Sequence, residues 1–256
     1  MLEWEATYGY GDIIGAITNA HWRNICYNDN KLKLVWYDDR SFYPPENKYH
    51  LKDPESVLYR TEEIISYFDP NKLINVSHEV KTLIGKRSRY VNRFKMNQWW
   101  TTLWQSNIQS SDQGYIAIWH PFDNIDDLSK TPGTSYKSPL NYEEWQKVIK
   151  SINNQFDVKY INYRMPVREA FNIVANSHAC VGYEGIGQLI SKNFWKPCIT
   201  YTKQPKLSKI TGGPWTMCDD KYKSKIDNLQ PIIDDQLKKI NMCKKIYADR
   251  QSRYRS

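Results

Sequence analysis

The sequence predicts an α/β protein made of two Rossmann-like domains facing a cleft, the N-terminal one reduced. Three observations predict it. From residue 115 onward, short apolar strand patterns alternate with helical ones, the signature of a parallel sheet with crossover helices. The chain opens the same way, with a strand, a glycine turn, a helix and a second strand. In its last third, a buried strand at residues 179–181 runs through Gly182-Tyr183-Glu184-Gly185-Ile186-Gly187 into a helix and then another strand.

In chain order, residues 2–8 alternate Leu2, Trp4, Ala6 and Tyr8 and read as a strand. Tyr8-Gly9-Tyr10-Gly11-Asp12 is the turn, and Ile13, Ile14 and Ile17 continue toward Trp22 at helical spacing. Residues 31–37 (KLKLVWY) form a second strand. A proline-marked loop follows, then a helix over 55–67 and a short strand over 73–76. Residues 81–105 are basic first (Lys86, Arg87, Arg89, Arg93, Lys95) and aromatic afterwards (Trp99, Trp100, Trp104). That segment reads either as an anion- or nucleic-acid-binding helix or as an amphipathic helix with a solvated basic face; surface helices ordinarily have the second pattern. Residues 106–113, polar and flanked by glycine, read as an interdomain linker, so the domains are placed at 1–110 and 111–256.

In the second domain, strand 115–119 (YIAIW) ends at His120-Pro121, and a loop carrying Lys130 and Lys137 follows. Asn141 caps a helix to residue 152, ahead of a strand at 158–161 and a helix at 167–176. After the central turn come a helix at 188–194, a strand at 198–201 and an irregular stretch at 203–219. A long helix over 226–248 and a basic tail at 250–255 close the chain.

Composition narrows the partners. The net charge of +8 favours an anionic one: nucleotide phosphates, nucleic acid or an acidic surface. The 10 Trp and 19 Tyr are many for 256 residues and suit ligand or carbohydrate surfaces as well as cores. Five scattered cysteines and five dispersed histidines suggest neither a disulfide framework nor a metal site. No apolar run nears the ~18 residues of a membrane span. The N-terminus shows no signal-peptide pattern, so the expected setting is cytoplasmic. Richness in Lys, Asn, Ile and Tyr, whose codons are AT-rich, hints at a viral or AT-rich genome.

The central turn has a chemical logic. A strand entering a helix through glycines directs backbone N–H groups and the positive end of the helix dipole at one point, where phosphate is favoured. Gly182, Gly185 and Gly187 permit positive φ and a close approach of ligand to backbone. Glu184 in the turn is placed to accept hydrogen bonds from ribose hydroxyls.

From residue 115 onward the order of parts resembles the C-terminal half of a GT-B glycosyltransferase, specifically the ADP-heptose lipopolysaccharide heptosyltransferase family. Residues 141–149, around Trp145, resemble that family's helix of type W-x-x-x-W-x-x-[LVI]. Gly182-Tyr183-Glu184-Gly185-Ile186-Gly187-Gln188-Leu189 with Lys196-Pro197 resembles its "GxDSGxxHLAAxxxxP" nucleotide-sugar turn. Gly9-Tyr10-Gly11-Asp12-Ile13-Ile14 resembles the family's opening "GxGDxI". Three departures stand out: the family's turn Asp is Glu184, its Ser/Thr is Gly185, and Gln188 or Leu189 stands where it has His.

The resemblance implies a glycosyltransferase, of inverting type, with a nucleotide-sugar as co-substrate, no other cofactor and no metal. Carried over, Asp12 is the general base that takes the acceptor hydroxyl's proton; the alternative reading makes it an N-cap. Lys130 or Lys137 would steady the departing diphosphate, and His120 would touch sugar or phosphate. Gly11, Gly182, Tyr183, Glu184, Gly185, Gly187 and Gln188 complete the donor site. The acceptor is a glycan hydroxyl or, from the charge and the basic-aromatic segment, a modified base in DNA. The competing class is a non-catalytic nucleic-acid-binding or structural accessory protein with a degenerate glycosyltransferase fold.

Overall fold

The structure, a computed structural model, describes residues 2–6, 32–38, 62–67, 74–82, 108–121, 138–162, 165–206, 213–219 and 226–255. The chain divides into two compact units, one mainly residues 1–97 and the other mainly 108–250. The first holds a parallel sheet of β1 (Leu2–Ala6), β2 (Leu32–Asp38) and β3 (Ile74–Thr82) in sequential order. A short helix, α1 (62–67), buries Ile64. Strand β3 outruns the expected 73–76 because Ile74, Val76 and Val80 keep a period of two through the polar residues between them. It also takes in Lys81 and Thr82, where the basic-aromatic helix was expected to start. The rest of that segment lies outside the described residues.

The second unit is an α/β sheet of five parallel strands in the order β5-β4-β6-β7-β8. Its elements are β4 (Ile116–Trp119), α2 (Tyr142–Asn153), β5 (Val158–Ile161), α3 (Val167–Asn176), β6 (Ala179–Tyr183), α4 (Ile186–Asn193), β7 (Cys198–Tyr201), β8 (Met217–Asp219) and α5 (Gln230–Arg255). Strands β4 and β7 are buried throughout, as parallel strands covered on both faces must be. One face presents Ile116, Ile118, Val181, Ile199 and Tyr201 to Trp145, Val148, Ile149 and Ile152 of α2 and to Ile233 of α5. Strand alternation turns Ala117, Cys180, Cys198 and Thr200 to the other face.

Local chemistry sets the element ends. Asn141 and Glu144 form a reciprocal capping box at the start of α2. Trp145, fully buried, donates its indole N–H to Ser138 and meets Tyr201 edge-on. The expected linker is a fitted segment from Ile108 onward. Ile108 is buried, Ser110 Oγ and Ser111 N both donate to Ala175 O, and Gln113 N donates to Asn176 O. Ser110, Ser111 and Gln113 stay exposed and at the same time cap the last carbonyls of α3.

Two expectations at the C-terminal end are corrected. The stretch at 203–219 contains β8, three residues long and so without a readable alternation. The long helix starts at Gln230, after a 3-10 turn at Ile226–Asn228, and runs to Arg255, so the expected basic tail is helical.

Candidate functional site

The strand order changes direction between β4 and β6: β5 lies on one side of β4, while β6, β7 and β8 extend from the other. In open α/β sheets the crevice outside the carboxyl ends of the strands at such a reversal is where ligands bind. Trp119 pairs with Gly182 across the two strands there, and Tyr183 pairs with Tyr201 and Tyr201 with Asp219 farther along the same edge. The sequence-predicted turn stands at this edge.

The turn is tighter than expected. Strand β6 continues through Gly182 and Tyr183, and α4 begins at Ile186, so Glu184 and Gly185 alone connect them. The three glycines have three different causes. A Cβ on Gly182 would stand 3.1 Å from the Trp119 Cβ and carbonyl oxygen, so Gly182 lets two strand ends pack closely. A Cβ on Gly187, in the first turn of α4, would fall 2.7 Å from the Trp119 indole ring. Gly185 has φ 158° and ψ −150°, a region essentially confined to glycine, and among the described residues a Cβ there would meet only Tyr183, at 3.9 Å. Among the described residues, the space in front of Gly185 is otherwise empty. At Gly182 and Gly187 the protein's own tryptophan takes the space.

Gly185 is also the N-cap of α4 and has no side chain with which to bond the first-turn N–H groups. Beside it, Glu184 is half-buried, its backbone N–H donates to Tyr201 O, and its Oε2 accepts from Thr202 Oγ1 at 2.5 Å. Burial pushes the Tyr183 hydroxyl up to about 12, a shift partly offset by the hydrogen bond from Trp119. Gln188 is buried in α4. The arrangement offers an anion a helix N-terminus whose N-cap has no side chain and offers hydroxyl groups a carboxylate on the same turn.

His120 follows β4 but is only 2 % exposed; its N–H donates to Ile161 O and its ring meets Tyr160 edge-on. It is thus nearly closed to solvent beside β5; the resemblance implied that it touches sugar or phosphate. Gly11, Asp12, Lys130 and Lys137 lie outside the described residues. Thr202 was not singled out in the sequence. The available signal was a hydroxyl residue directly after the strand that follows the turn, and only the β6–β7 pairing gives it meaning.

No family model matches the chain, nor does any curated protein. Among solved structures, the chain is similar to E. coli heptosyltransferase WaaC with ADP, at 9% identity and a TM-score of 0.43, over 92% of this chain and 100% of that one. No helix among the described residues is long and apolar enough to cross a membrane.

Proposed function

We propose that the protein is a glycosyltransferase that binds a nucleotide-sugar at the β6–α4 turn and passes the sugar to an acceptor hydroxyl. The observation that carries this reading is the turn's place at the strand-order reversal, with a glycine N-cap that lacks a side chain and a carboxylate on adjacent residues. Phosphate goes to the N–H groups at Gly185, and the ribose hydroxyls go to Glu184. The GT-B resemblance of the sequence turns a nucleotide site into a nucleotide-sugar site. It also supplies Asp12 as the base that deprotonates the acceptor in a metal-independent, inverting transfer. Lys130 or Lys137 would offset charge on the leaving diphosphate. A glycan or a modified base in DNA is the acceptor.

The test is thermal stabilisation by UDP-, GDP-, ADP-, dTDP- and CMP-sugars and the free nucleotides. A ligand bound only by the native state raises Tm in step with its affinity. One base series should stabilise the chain clearly above the others. With that donor, Asp12→Asn should lose turnover by a factor of about 10² or more and keep donor affinity. No shift with any nucleotide would sink the transferase reading, and an Asp12→Asn enzyme at full rate would remove Asp12 from it.

A further inference from the structure

The carboxylate of the turn does not stand alone. Thr202 follows β7 directly, is completely buried, and receives the Gln204 backbone N–H on its Oγ1 at 2.9 Å. A hydroxyl has one proton and two lone pairs. With Oγ1 accepting from Gln204, its proton is left to donate, and it points at Glu184 Oε2, 2.5 Å away. The direction of the chain is fixed by this accounting: Gln204 N–H to Thr202, and Thr202 O–H to Glu184. Thr202 is itself anchored, since its N–H donates to Asp219 O of β8 at 2.6 Å. It is also the single side-chain hydrogen-bond partner of Glu184 among the described residues.

We propose that Thr202 is a positioning residue that holds Glu184 in the one orientation able to receive ribose hydroxyls, and so sets the preference for ribose over deoxyribose in the bound nucleotide. The inference rests on the nucleotide reading of the same turn. A glutamate at a turn samples several rotamers, and fixing one of them in advance lowers the entropic cost of binding. Thr202 takes Oε2, and no described residue bonds Oε1, which is left for the ligand. A sugar lacking its hydroxyls would leave this half-buried carboxylate short of donors, which is how a hydrogen-bonding site rejects a deoxy analogue.

The probes are ADP, GDP, UDP and CDP with their 2′,3′-dideoxy forms, titrated calorimetrically against the full chain. For the base that binds best, the wild type should favour the ribose form by at least about tenfold, as expected for hydrogen bonds to a charged acceptor. Thr202→Val, which keeps the shape and removes the donor, should bring that ratio within about threefold and leave affinity for the dideoxy form unchanged. Thr202→Ser should keep the ratio. Glu184→Gln should abolish it, and adding Thr202→Val to Glu184→Gln should change nothing further, because the two act as one unit. Should Thr202→Val not fold, Thr202→Ala carries the same expectation. An unchanged ratio in Thr202→Val, or an equal loss for both sugar forms, overturns the proposal and leaves the nucleotide site standing. A wild type that binds ribose and dideoxyribose forms equally also overturns it. Failure of the wild type to bind any of the diphosphates overturns both readings together.

Discussion

At the scale of single residues, Trp119 organises the carboxyl edge of the main sheet. Its indole lies where a side chain on Gly187 would go, and its Cβ and carbonyl oxygen stand where one on Gly182 would go. Alanine is intrinsically better than glycine inside a helix by about 1 kcal/mol. At Gly187 the steric cost wins, because a 2.7 Å contact with a ring only 7 % exposed forces either the ring or α4 to move. Gly187→Ala should therefore destabilise the chain by about 1–3 kcal/mol, the range for overpacking a filled core, in urea unfolding. Adding Trp119→Leu should restore part of the loss. A stabilised Gly187→Ala would show that the indole is not held against the helix. The sequence announced these glycines, but not their purpose. A glycine that frees the backbone and one that makes room for a neighbour look alike until the neighbour is known.

Among elements, β7 shows how a short neighbour is compensated. Strand β8 begins pairing at Met217 opposite Ile199, one residue too late to serve Cys198. Gln236 of α5 fills in: Cys198 N–H donates to its Oε1 at 2.7 Å, and its Nε2 donates to Cys198 O at 3.2 Å. The amide of Gln236, itself buried, thus replaces a missing strand residue. Gln236→Leu should cost about 1–3 kcal/mol, the penalty of stranding buried backbone groups, while Gln236→Glu should be tolerated better at low pH than at neutral pH. Chemical denaturation at pH 4.5 and 7.5 reads both. A Gln236→Leu protein as stable as wild type would place water on those groups. The helices of this unit are plain in the sequence because each keeps a period of 3.6, and the inner strands because each is a short, nearly continuous apolar run. β8 and the fitted segment after Ile108 are not, since three residues and a handful of serines carry no period.

For the molecule as a whole, stability should depend on pH in an unusual way. Burial pushes the Lys192 ammonium down to about 7 from 10.5. Burial also lowers Lys196 to about 8, against the pull of Asp112 and together with the push of Lys244. Between those values and 10.5 the unfolded chain holds more protons than the folded one, so stability rises with pH across that window. Burial pushes the Tyr115 hydroxyl up to about 12 from 10.0, as it does Tyr183. From pH 10 to 12 the folded chain holds the extra protons, and stability falls. The hydrogen bond with Cys180, together with burial, raises the Cys198 thiol above 9.0, and burial raises that of Cys243, which opposes the rise from pH 9 upward. Among the described groups the maximum should therefore lie between about pH 9 and 10. Urea midpoints taken between pH 7 and 11 would show it, and Lys192→Met should flatten the rising limb. A midpoint that falls steadily from pH 7 would mean that the two lysines are solvated.

What the sequence by itself determined is the alternation of strands and helices in the second unit and the placing of a strand-turn-helix with an acid in its turn. Those features follow from local rules: a period of two or of 3.6, a cap such as Asn141, a glycine that ends a run. Tertiary structure alone decided the order β5-β4-β6-β7-β8, and with it the fact that this turn stands at the reversal of the sheet. It alone enclosed His120, gave Gly187 to Trp119, and joined Thr202 to Glu184 across 18 residues of chain. The reason is the same each time. A hydrogen bond or a van der Waals contact depends on which strands become neighbours, and pairing of parallel strands is set by the whole sheet, where each residue's local preference has no say.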